Sequence, residues 1–154
     1  MPEDWAQATA KKVEVRIAEE AERAATLQKR YEDGVQRFRK LLLDLIAAVN
    51  THIENEASRI HVIVLHNGVI LAAAYKRIVT VEEAGAWPEE KVPACVGRIL
   101  VERENRKAGQ AGEPDKIFVT AAGTQTAFYQ RIAQGTLKQL TDADLKGLVE
   151  YFTG

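Results

Sequence analysis

The chain has 154 residues, with 21 Lys and Arg against 22 Asp and Glu, and one cysteine. That length predicts one domain, and Leu, Ile, Val and Phe, at about a quarter of the residues, suffice for a packed core. The near-neutral balance argues against a strongly basic nucleic-acid binder, and a lone cysteine excludes an internal disulfide or a Cys-rich zinc or iron–sulfur site.

Further classes fall on motif grounds. The longest apolar run, residues 69–75, is far short of the about 20 residues a membrane-spanning helix needs. The acidic start at residues 1–5 lacks the apolar segment of a signal peptide, so a soluble cytoplasmic protein is the expectation. Ser58 is the only serine and has no G-x-S-x-G around it. The phosphate-cradling patterns G-x-x-x-x-G-K-[ST] and G-x-G-x-x-G are absent.

The first third reads as helix. Residues 6–57 are dominated by good helix formers and contain no proline. Apolar or small residues recur at steps of three and four at Ile17, Ala21, Ala24, Tyr31, Val35, Phe38, Leu42, Leu45 and Val49, with Gln28 interrupting once. From Val35 onward the stripe is wide enough to lie on a sheet. Before that it is thin and alanine-rich, which suits a close helix–helix contact in the manner of a coiled coil. A continuous helix over residues 5–57 measures about 80 Å, whereas a compact chain of this length has a diameter near about 40 Å. Either the helix breaks near Asp33-Gly34 and folds back, or its first half projects and finds a second chain. The short Asp33-Gly34 interruption favours projection.

The hydrophobic period then changes. Residues 59–66 and 69–75 are β-branched and apolar, and Asn67-Gly68 between them signals a hairpin with a type I′ turn. The second strand continues to residue 81, a long loop covers 82–97, and further strands follow at 98–104, 116–122 and 126–133. Thr141 and Asp144 cap a short terminal helix whose apolar face is Leu145, Leu148, Val149 and Phe152. The expected architecture is α+β: a long N-terminal helix, a five-stranded, mostly antiparallel sheet and a short C-terminal helix. Residues 1–34 form a helical arm and 35–154 a globular domain.

Candidate chemistry is sparse. His61 and His66 are five apart on one strand and face opposite ways. His52 and Glu56 share a helix face and would need a third ligand, His61 or Glu54, to hold a metal; solvated polar groups at the end of the apolar seam fit better, and neither a metal nor a cofactor is expected. Cys95 sits among apolar residues with no local group to activate it. Arg103 and Arg131, with Tyr75, Tyr129 and His61 on the same sheet face, would form a pocket for a carboxylate or phosphate. Lys29, Arg30, Arg37, Arg39 and Lys40 wrap around the helix instead of forming one basic stripe, which disfavours nucleic acid.

Two functions follow as expectations. The first is a non-enzymatic, cytoplasmic scaffold or protein-interaction module that self-associates, as a dimer in the simplest case, through Ile17, Ala21, Ala24 and Tyr31, and presents its domain to a partner protein. The second is a small-molecule-binding domain, with enzymatic activity left open, whose pocket lies between the sheet and helix 35–57.

Overall fold

The computed structural model describes residues 2–73, 77–105, 109–111, 113–122, 125–132 and 135–153. Helix α1 runs unbroken from Pro2 to Thr51, 50 residues, or about 75 Å at 1.5 Å per residue. No helix among the described residues is long and apolar enough to cross a membrane. The strands are β1 (His61–Leu65), β2 (Gly68–Ala73), β3 (Arg77–Ala86), β4 (Cys95–Asn105), β5 (Gln110–Ala111), β6 (Asp115–Ala122), β7 (Gln125–Arg131) and β8 (Leu137–Gln139), followed by helix α2 (Asp142–Glu150). Every pairing is antiparallel, in the order β1-β2-β3-β4-β6-β7-β8, with the two-residue β5 on β4. Among the described residues the sheet is therefore a meander of seven strands with the short β5 beside it, where five strands were expected.

Two of the differences have identifiable causes. β3 extends to Ala86 where a loop from residue 82 was expected, because a bulge between Glu83 and Gly85 restores its pairing with β4. Gly85 supplies the left-handed φ of 103° needed there. β8 is a strand of three residues, too short to show a period in sequence. The β1–β2 hairpin is present, but Leu65 pairs with Gly68, so the turn is His66-Asn67. Gly68 serves another purpose: a Cβ there would lie 1.9 Å from the Val81 carbonyl oxygen.

The register assigns the faces. Val69, Leu71, Val79, Val81, Ile99, Val101, Ile117, Val119 and Phe128 share the inner face, and all are buried. The second half of α1 closes that face with Val35, Phe38, Leu42 and Ile46, and α2 adds Leu145, Leu148 and Val149. Phe38 meets Phe128 edge to face, with ring centroids 5.2 Å apart. Behind the sheet, Val92 of the β3–β4 connection covers Cys95 and Phe118 in a smaller cluster. The C-terminal end of α1 is tied to the start of the sheet by Asn50. Its side chain donates to the Ile60 carbonyl and accepts the Ile60 N–H, both at 2.9 Å, a pairing that imitates a strand neighbour.

α2 starts as its sequence predicts. Thr141 and Asp144 form a reciprocal capping box. The Thr141 N–H and the Lys138 ammonium, both donating to Asp144, hold its carboxyl below the usual range.

Candidate functional site: the free arm and its root on the sheet

Gly34 does not break α1; it lets the helix come down on the sheet. A Cβ at this position would fall 2.4 Å from Val119 Cγ1 on β6. The general cost of glycine inside a helix, about 1 kcal/mol, is accepted for that close approach. One turn earlier, Tyr31 packs against Gly97, where a Cβ would meet the ring at 2.0 Å. The Tyr31 hydroxyl donates to the Arg98 carbonyl at 2.7 Å and accepts the Gly85 N–H at 3.0 Å. Burial pushes its pKa up, against the lowering effect of the Gly85 hydrogen bond. Arg39, two turns further on, forms a half-buried ion pair with Glu83 on β3. Arg37 donates to the Thr126 carbonyl and hydroxyl.

Tyr31, Gly97 and the bulge at Gly85 are thus one device that roots the helix. Tyr31, an expected oligomerisation residue, is only 4% exposed and belongs to the protomer's own core. The packed part of the helix begins at Leu27 and Tyr31, ahead of the division expected at residue 34.

On the N-terminal side of Leu27 the helix packs against no other element among the described residues. Every residue from 2 to 30 is exposed except the half-buried Thr9 and Leu27. Ile17 is 60% exposed, Val13 51% and Trp5 71%, and Ala21 and Ala24 are also open. At 3.6 residues per turn, Ala6, Val13, Ile17 and Ala24 point within about 30° of the mean direction of Tyr31, Val35, Phe38 and Leu42. The stripe that packs on the sheet therefore continues along the free arm with nothing against it.

The residues expected to form an anion pocket are dispersed. Arg103 lies on the inner face, opposite Val79, and pairs with Asp115. Arg131 lies on the outer face, with its guanidinium 5.4 Å from the Phe118 ring centroid. The sheet stands between the two arginines. Tyr129 is on the outer face of β7, and His61 is exposed on the edge strand β1. Tyr75 lies outside the described residues. Cys95 is buried, and its thiol is directed at the Trp87 and Gly97 carbonyls.

Two further surfaces stand out, the first of them in the region between the sheet and helix 35–57 where a small-molecule pocket was expected, although α2 forms one of its walls. A cleft of about 490 Å³ opens between the end of α1, the start of the sheet and α2. Leu45, Val49, Ile60 and Phe152 are among its apolar walls, with His52, Lys146 and Glu150 among its polar ones. Edge strand β1 carries exposed Val62, Ile63, Val64 and Leu65. No group of three or more His, Cys, Asp or Glu among the described residues could hold a metal ion. In comparisons with known proteins, no family, no curated protein and no solved structure matches the chain.

Proposed function

We propose that this chain is a non-enzymatic, self-associating interaction module whose helical arm pairs with a second copy and so presents the α+β domain in duplicate. The observation that supports this is the in-phase stripe of Ala6, Val13, Ile17 and Ala24, left exposed on a helix whose other half buries the same stripe on the sheet. Two β-branched residues half exposed on a free helix lose their contact with water when another helix covers them, at about 25 cal/mol per Å². Light scattering coupled to size exclusion tests this on the intact chain. The wild type is expected at twice the protomer mass, and Val13→Glu with Ile17→Glu at the protomer mass with an unchanged circular dichroism spectrum. A wild type that stays monomeric at high concentration overturns the proposal.

The cleft at the end of α1 favours a second reading, that of a small-molecule site. Its volume falls within the range of about 300–1,000 Å³ common to ligand pockets, and it combines apolar walls with a few polar groups. A metabolite panel read by thermal shift tests it, with Lys146→Ala expected to abolish any stabilisation.

A further inference from the structure

The rim of the cleft beside the end of α1 carries two charges that narrow what it can hold. Resting on the small-molecule reading above, we infer that its ligand is a zwitterionic α-amino acid with a large apolar side chain, bound with its carboxylate at Lys146 and its ammonium at Glu150.

The apolar part of the site comes from the end of α1, the start of the sheet and α2. Buried Ile60, Ala73 and Val149 form its floor, and Leu45, Val49 and Phe152 stand around them, enclosing about 490 Å³. Hydrogen bonds from residues that do not line the cleft fix these walls. Asn50 ties the end of α1 to Ile60. Arg59 donates through Nε to the Ile53 carbonyl at 3.1 Å. Arg77 donates to the Tyr151 carbonyl at 2.6 Å, with its guanidinium 4.8 Å from the Tyr151 ring centroid.

The polar part lies on α2. Lys146, Val149 and Glu150 share one helix face at i, i+3 and i+4, and all three line the cleft. Two opposite charges therefore flank one apolar wall, about 6 Å apart along the helix axis. They do not neutralise each other. Among the described residues no ion pair joins Lys146 to Glu150, or to Asp142 one turn the other way. A lysine ahead of its glutamate is the weaker order for a pair at this spacing. Arg59 and Arg77 are committed to backbone carbonyls, which leaves His52 on α1 as the other ionisable group of the lining. A ligand with a carboxylate alone meets the like charge of Glu150 one turn from its partner, and one with an amine alone meets that of Lys146. An α-amino acid carries both charges on one carbon. It matches both side chains, and its apolar group falls between them onto Val149 and Ile60.

Titration calorimetry on the intact chain tests this with ligands that lack one part each. L-leucine and L-phenylalanine are the full probes. N-acetyl-L-phenylalanine lacks the ammonium, phenethylamine lacks the carboxylate, and glycine lacks the side chain. The full probes are expected to bind one per chain, each single-charge analogue about tenfold or more weaker, as befits the loss of one charged hydrogen bond, and glycine not at all. Glu150→Gln is expected to weaken L-phenylalanine by a similar factor while leaving N-acetyl-L-phenylalanine no weaker, a pattern that a collapsed cleft does not produce. Lys146→Ala is expected to do the same for L-phenylalanine and to spare phenethylamine. Either single-charge analogue binding as tightly as L-phenylalanine overturns the inference. Silence from both full probes, with a different metabolite stabilising the wild type but not Lys146→Ala, also overturns it and leaves the cleft a ligand site. Silence from these probes and from the whole metabolite panel overturns the small-molecule reading itself.

Discussion

The two halves of α1 share a backbone, a composition of good helix formers and one continuous stripe, yet they are held in place by different means. From Tyr31 to Ile46 the helix is fixed by burial, by the Gly34 and Gly97 contacts and by the Arg39–Glu83 pair. From Pro2 to Arg30, apart from Leu27 at the edge of the core, the described residues show within the protomer only the helix's own hydrogen bonds and exposed pairs such as Arg16–Glu20 and Gln28–Glu32. Isolated helices shorter than about 12–15 residues are marginal in water. The arm is longer and is continued by a segment the sheet already fixes, so it does not have to nucleate alone. A free helix can therefore be well formed and still lack a tertiary partner for its apolar stripe.

The largest expected effect separates the halves by truncating the same stripe in each. Phe38→Ala removes a ring that is 1% exposed and packed on Phe128. It is expected to cost about 3–5 kcal/mol in urea unfolding. Ile17→Ala, at 60% exposure, is expected to leave monomer stability within about 0.5 kcal/mol and to weaken association instead. Equal losses of monomer stability in both variants would remove the distinction.

Next in size is the root. Gly97→Ala drives a methyl into the Tyr31 ring at 2.0 Å and towards the Gly85 carbonyl oxygen at 2.7 Å, and overpacking of this kind costs about 1–3 kcal/mol. Gly109→Ala, where nothing stands within 4 Å but φ is 67°, separates strain from crowding. Its cost is expected to be smaller and unconnected with α1. The measurement is the denaturation midpoint together with loss of near-ultraviolet tyrosine signal in Gly97→Ala alone.

How much of this was legible in the sequence depends on the range of the interaction. The helix, the hairpin at β1 and β2 and the capping box at Thr141 and Asp144 are local patterns, and each is present. The continuity of α1 through Gly34 was not decidable from propensity, because that glycine answers to Val119, 85 positions along the chain. The residues expected around an anion pocket are dispersed for a related reason. The faces of Arg103 and Arg131 follow from strand order and from the register that sets Ile99 beside Ile117 and Ile117 beside Gln130, neither of which a single strand reveals. Tyr31 looked like one more seam residue because period alone cannot say whether a stripe meets its own sheet or another chain. The alanine and β-branched pattern of the arm was visible, but only the fold shows that it lies free and in phase with the core.

Tyr31 itself gives a pH signature at the boundary between the halves. Its pKa is raised in the folded protein, chiefly by burial, so the unfolded chain loses the phenolic proton first. The Tyr31 contribution is therefore complete below about pH 10, the ordinary tyrosine value, and is lost as pH rises from there through the folded pKa. Tyr31→Phe removes two hydrogen bonds, at about 1 kcal/mol each, and is expected to flatten the alkaline fall in stability. An alkaline limb unchanged in Tyr31→Phe would assign it to the other tyrosines.

The smallest effect compares two ion pairs on the same helix, measured at a protein concentration low enough to keep the chain monomeric. Arg16 and Glu20 are 81% and 60% exposed in their side chains, whereas Arg39 and Glu83 are 32% and 18% exposed. Water screens the first pair and both side chains give up rotamer freedom to make it, so a double-mutant cycle should give no more than about 0.5 kcal/mol. At about 1 M salt the screening length falls to about 3 Å, and this coupling is expected to vanish. The Arg39–Glu83 pair is shielded by the helix and the sheet bulge, so its coupling should be larger and should survive the same salt. If both couplings vanish together, the root is as wet as the arm, and burial at Tyr31 and Phe38 alone fixes the helix. If only the Arg16–Glu20 coupling vanishes, the boundary between the free and rooted halves of α1 is electrostatic as well as steric, and it lies at the turn that contains Tyr31.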